Sequence, residues 1–214
     1  FKINSYEDIS SIYNLIIKNN NVDDLMDDEN QPSQEELDHL VSLFNEKKLD
    51  QLIAEVNKNK LKYPKSYQLY FLKGLALKEK EELHNAIVEF EKAIFLNEGF
   101  YECGYELANL YRLNENYDSA IKVYEDTLKV VPQNSKILNN LGISYLLTSN
   151  YKKAYSCFKE ALKYNYDYEL AFNNMIDSCK YLGLSENDIL SNQINFRNMT
   201  YNENTFKDMV NLIE

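Results

Sequence analysis

Tryptophan is missing from this chain of 214 residues, and glycine (5) and proline (3) are scarce. Sandwiches and barrels need many tight turns, and tight turns draw on glycine and proline, so the shortage argues for helices. Apolar runs reach only a few residues, as at Leu15-Ile16-Ile17. A bilayer-spanning helix of about 20 apolar residues cannot be drawn, and no basic-then-apolar leader opens the sequence. The glycines are isolated (Gly74, Gly99, Gly104, Gly142, Gly183), so there is no glycine-rich phosphate loop. The two histidines, His39 and His84, belong to no Cys/His cluster with zinc spacing. Cys103, Cys157 and Cys179 are odd in number and far apart, which reads as reduced thiols in a reducing, cytoplasmic compartment rather than as a disulfide framework. Helical spacing places Cys179 on a packed face and Cys103 and Cys157 on outer surfaces, all three inert. With no catalytic constellation the chain reads as a non-enzyme that needs neither cofactor nor metal.

Basic charge is also short. Lys and Arg number 23 against 34 Asp and Glu, a net charge of −11. Much of the excess sits between Asp23 and Asp38, where eight carboxylates occur without a single Lys or Arg. This stretch lacks the glycine and the ligand spacing of a calcium loop and reads as a solvated linker. A net acidic chain without a basic stripe repels phosphate backbones, which excludes nucleic acid as the expected partner. Eighteen tyrosines accompany many Asn, Lys and Ile, residues favoured by AT-rich codons, so most of them reflect composition rather than a binding surface.

What the chain has is a repeat. Ala86, Phe90 and Ala93 recur as Ala120, Tyr124 and Thr127 and again as Ala154, Phe158 and Ala161, each set displaced by 34 residues. Upstream of each set stands a second pattern: Tyr70, Gly74, Leu77; then Leu107, Ala108, Tyr111; then Leu141, Gly142, Tyr145. Pro64 and Pro132 lie two periods apart, with Glu98 between them. Within each unit apolar residues return at three- and four-residue spacing, which predicts two amphipathic helices per unit. The small residues Gly74, Ala108 and Gly142 let a neighbouring helix approach, and Phe90, Tyr124 and Phe158 fill the space that remains. Such a pair cannot bury its apolar face alone. The predicted fold is therefore all-α, a right-handed superhelical solenoid of antiparallel helix pairs.

These residues resemble the tetratricopeptide repeat family. Full units are expected at Tyr67–Phe100, Tyr101–Asn134 and Ser135–Tyr168. A divergent unit, Ser33–Ser66, has Leu52 where the family prefers alanine, and a fifth begins at Glu169 and then loses the pattern. The array is expected over 33–182. Before it stand an amphipathic helix over 1–20, carrying Ile9, Ile12, Tyr13 and Ile16, and the acidic linker over 21–32. Capping helices over 183–214 follow, the last with Phe206, Met209, Val210 and Ile213 on one face. That face is a candidate for self-association. The chain begins without methionine and stops inside an apparent helix, which suggests a fragment of a longer protein.

The resemblance implies that the first helix of each pair lines a concave groove for a protein or peptide. Carried onto this sequence, it gives Phe71, Leu75, Tyr105, Asn109, Arg112, Lys136, Asn140 and Asn174 as peptide-binding residues. Asn140 and Asn174 are 34 residues apart and resemble the asparagine ladder of some family members. A carboxamide both donates and accepts, so it can hold an extended backbone whatever its side chains. The family's carboxylate clamp is not matched, because Phe71 and Leu75 stand where its cation and amide belong. The expected function is a non-catalytic interaction scaffold. The alternative is the substrate-recruiting region of a larger glycosyltransferase or sulfotransferase.

Overall fold

The computed structural model describes residues 31–165 and 167–183. The helix expected over 1–20, nearly all of the acidic linker and the expected capping helices lie outside these residues. The described residues form α1 (Gln34–Asn45), α2 (Leu49–Lys62), α3 (Tyr67–Glu79), α4 (Leu83–Leu96), α5 (Tyr101–Leu113), α6 (Tyr117–Val130), α7 (Ser135–Leu147), α8 (Tyr151–Tyr164) and α9 (Glu169–Tyr181), with no strand among them. The helices follow the repeat register, and the divergent stretch after Ser33 forms a helix pair like the others. Two compact units divide the chain between Leu107 and Ala108, inside α5.

In the first unit, α1 opens with a reciprocal cap. The Glu36 amide donates to Ser33 Oγ at 3.2 Å, and the Ser33 amide donates to Glu36 Oε2 at 2.8 Å. Each bond satisfies a backbone donor that the helix cannot. The Ser33 amide, and after it the Tyr63 hydroxyl, hold the Glu36 carboxyl below its usual range. Behind the cap, Leu40, Leu52, Val56, Leu69, Leu72 and Phe90 are fully enclosed. A Cβ built on Gly74 would come within 2.5 Å of Phe90 Cε1. The missing side chain of α3 is thus the space that the aromatic ring of α4 occupies. The ring of Phe71 packs edge-on against Phe100 at 4.7 Å and tilted against Phe90 at 5.7 Å.

One charged group joins three helices of this unit. Glu89 of α4 takes Lys60 of α2 and Lys73 of α3, each at 2.7 Å, and all three side chains are largely buried. Lys60 also lies over the Tyr70 ring, 3.8 Å from its centroid.

The second unit repeats the scheme. A Cβ on Gly142 would come within 2.5 Å of Phe158 Cε1, which places the ring of α8 against the backbone of α7. Leu138, Ala161, Leu162, Ala171, Phe172, Ile176 and Cys179 form one buried cluster across α7, α8 and α9. Tyr145 donates to Glu125 from under the Lys153 side chain. Tyr151 and Tyr181 stack at 4.8 Å and 10°.

The turn inside each pair has a fixed geometry. Lys47, Glu81, Glu115 and Ser149 have φ between 57° and 62°, and Gly183 continues the series at 74°. Glu81 N donates to Lys78 O and Glu82 N to Leu77 O, and the same pair of bonds recurs at Ser149 and Asn150. This is the Schellman closure of a helix end. At Lys47, Glu81, Glu115 and Ser149 it is made without the glycine that would have marked it in the sequence.

Candidate functional site

The eight residues assigned to the groove by sequence divide between the units. Phe71, Leu75 and Tyr105 belong to the first, and Asn109, Arg112, Lys136, Asn140 and Asn174 to the second. Two of them must be reassigned. Phe71 is 2% exposed and Leu75 5%, so neither offers surface to a ligand. Both serve the core, Phe71 through its contacts with Phe90 and Phe100. Tyr105 is half-buried and Lys136 exposed. Glu106, next to Tyr105, is paired with Lys78 at 2.6 Å.

The amides come together, with an extra member. Asn140 Nδ2 donates to Asn109 Oδ1 at 2.9 Å. Asn174 does not reach Asn140 directly. Its Nδ2 donates to Asn139 Oδ1 at 2.9 Å, and Asn139 Nδ2 donates to Asn140 Oδ1 at 3.3 Å. Tyr124 Oη donates to Asn109 Oδ1 at 2.5 Å. The result is a continuous relay from α9 through α7 to α5, anchored by the hydroxyl of α6. Each bond is worth about 0.5–1.5 kcal/mol net, and bonds in a chain polarise one another.

Sequence reasoning left Asn139 out of the asparagine ladder and did not anticipate the hydroxyl of Tyr124. Asn139 is fully buried and lies one residue out of register with the repeat of Asn140 and Asn174. Its signal was the Asn139-Asn140 doublet. For Tyr124 the signal was the substitution itself, since the equivalent residues are Phe90 and Phe158. The added hydroxyl goes to Asn109.

The relay leaves opposite polarity at its ends. Asn109 Oδ1 accepts twice, while its Nδ2 has no partner among the described residues. Asn174 spends its Nδ2 on Asn139, and its Oδ1 has none. One turn beyond Asn109, Arg112 has its Nε buried and unpaired. Alongside the amides runs an apolar row at the C-terminal ends of α5, α7 and α9. Leu113 (49% exposed), Leu147 (50%) and Tyr181 (63%) stand 34 residues apart. Leu147 and Tyr181 each lie two helical turns beyond Asn140 and Asn174, on the same helix face.

The chemistry of the thiols is muted. Cys103, expected on an outer surface, is instead fully buried, with its Sγ 3.4 Å from the Phe90 carbonyl. Burial pushes Cys103 well above the ordinary thiol range, and Cys157 up to about 12. No group of three or more metal-ligating side chains occurs among the described residues, and no described helix is long and apolar enough to cross a membrane.

Glu102 is the one carboxyl of α5 held in an unfavourable place. Its Oε2 is buried without a partner among the described residues, and burial raises its pKa above the ordinary 4.5. A raised folded-state pKa means that its contribution to stability is complete below 4.5 and is lost as the pH rises through the folded value. Glu102→Gln is therefore expected to raise Tm at pH 7, with the advantage shrinking as the pH falls toward 4. Thermal unfolding across that range checks it. A variant less stable than the parent at pH 7 would show that the charge is not the strained element.

Tetratricopeptide repeat profiles match residues 67–99, 103–136 and 135–168. The general transcriptional corepressor trfA of Dictyostelium discoideum is 26% identical over 81 residues, which is 38% of this chain and 6% of that protein. The chain thus spans a small part of the curated relative that it matches. Among solved structures, MamA from Desulfovibrio magneticus RS-1 aligns with a TM-score of 0.69 at 11% identity, over 83% of this chain and 98% of that one. YrrB, described as a TPR protein with an unusual peptide-binding site, aligns with a TM-score of 0.68 at 17% identity, over 77% of this chain and 86% of that one. These likenesses concern the fold, an all-α helical-repeat solenoid.

Proposed function

The chain belongs to the tetratricopeptide repeat family, whose repeats serve as protein–protein interaction scaffolds, and we propose that this one holds an extended polypeptide segment along the amide row of its second unit. The observation that carries the reading is the relay Asn174–Asn139–Asn140–Asn109 with its unpaired ends. An extended backbone presents N–H and C=O groups in alternation. The Asn109 amide nitrogen can donate to such a backbone, and the Asn174 oxygen can accept from it. The internal bonds hold the carboxamides in place, so little rotamer entropy is lost when the segment arrives. Leu113, Leu147 and Tyr181 would shelter its apolar side chains. The role is that of a non-catalytic scaffold, with protein or peptide as the partner.

The test uses the full chain and a displayed library of random short peptides. Selected peptides are titrated against the parent and against Asn140→Ala/Asn174→Ala. A loss of about tenfold or more is expected, because two hydrogen-bonding groups are removed at about 1 kcal/mol each. Equal affinity for both proteins would remove the assignment of the amide row.

A further inference from the structure

Arg112 carries the one buried side-chain nitrogen or oxygen without a hydrogen-bond partner among the described residues of the second unit. Its Nε is enclosed and has no hydrogen-bond partner among the described residues. A guanidinium stays charged in any protein and carries five donors in a rigid fork. Leaving a buried donor of a charged group unpaired is costly, and because Arg112 as a whole is only half-buried, a ligand meets the guanidinium at its outer nitrogens. Its neighbour on the same helix face, Asn109, also keeps a donor unpaired among the described residues, while its oxygen is taken by Tyr124 and Asn140. Residues three apart on a helix are side-chain neighbours. The two groups therefore offer donors, and no acceptors, at one end of the amide row. Three carboxylates of this unit already have partners: Glu125 accepts from Tyr145, Asp126 pairs with Lys129, and Asp177 pairs with Lys180.

We infer that the bound segment carries an acidic side chain, Asp or Glu, at a fixed place, and that its carboxylate pairs with Arg112 while the adjoining backbone carbonyl accepts from Asn109. This rests on the amide row being the binding face. A single guanidinium matches a single carboxylate, whereas a phosphorylated side chain calls for a cluster of arginines. The pairing also sets the direction of the segment, with its acidic residue at the α5 end and its neutral part along α7 and α9.

Peptides selected from the random library by the parent should share Asp or Glu at one place. Changing that residue to Asn or Gln should weaken binding by about ten- to a hundredfold, the effect of one charge-assisted hydrogen bond. Arg112→Gln, its helix content checked by circular dichroism, should bind the acidic and amide peptides equally. Selected peptides with no acidic preference would overturn the inference and leave the amide row standing. So would an Arg112→Gln protein that still prefers the acid. If no peptide binds the parent better than Asn140→Ala/Asn174→Ala, the amide row itself falls, and the inference with it.

Discussion

Phe158→Ala is expected to destabilise the second unit by about 3–5 kcal/mol, the usual cost of emptying an aromatic site in a closed core. Phe158 is fully buried, and its ring lies where a Cβ on Gly142 would stand. The reverse change probes the same contact. Gly142→Ala gains about 1 kcal/mol of helix propensity. It also drives a methyl to 2.5 Å from Phe158 Cε1, and overpacking of this kind costs about 1–3 kcal/mol. The clash outweighs the propensity, so the single change should destabilise. The double variant Gly142→Ala/Phe158→Ala should lose less than the sum of the two single changes, because the smaller side chain leaves room for the methyl. Denaturant unfolding followed by circular dichroism measures all four proteins. Additive losses would mean that glycine and ring do not set the spacing between α7 and α8.

Glu89→Gln is the second large effect, expected in the first unit at about 2–3 kcal/mol. Breaking a buried ion pair costs about 3–5 kcal/mol, and the figure is reduced here because the three side chains remain 13–18% exposed. The loss should depend on pH. Burial holds the Lys60 pKa below its ordinary 10.5, and Glu89 acts in the opposite direction. Without Glu89 the Lys60 pKa falls further. A lowered folded-state pKa penalises the protein wherever the lysine is charged, and the penalty disappears as the pH rises past the folded value toward 10.5. The deficit of the variant should therefore be largest near pH 7 and smaller at pH 10. Thermal unfolding of parent and variant at both values checks it. A deficit that does not change with pH would assign the effect to packing instead of charge.

The parts of this fold that could be read from sequence are those set by steric fit. Gly74 needs Phe90 and Gly142 needs Phe158, and a fit that recurs with every unit leaves a period in the sequence. Helix starts and stops followed from that period. The site was harder to read because burial depends on what surrounds a residue and not on its place in the repeat. Phe71 and Leu75 occupy groove positions by register, yet α3 also buries Leu69, Leu72, Gly74, Ala76 and Leu77. A helix apolar on every side is enclosed, and the stretch Leu69 to Leu77 carried that signal. The amide row was found at Asn109, Asn140 and Asn174 but not at Asn139. Hydrogen bonds follow distance, and the side chain that α9 meets on α7 is one residue away from the repeat-equivalent one. The left-handed turns at Lys47, Glu81, Glu115 and Ser149 left no trace, because their bonds are made by the backbone and four different uses of the chain can make them with ordinary residues.

The three cysteine thiols, two buried and Cys157 half-buried, give this protein built-in clocks. Only the thiolate reacts with an alkylating reagent, and burial keeps Cys103, Cys157 and Cys179 protonated above their ordinary range. Cys103 belongs to the first unit and the other two to the second. The rate at which each sulfur is capped thus reports how often its own surroundings open. Mass spectrometry of the labelled fragments would time the two halves of the chain separately, without adding a probe.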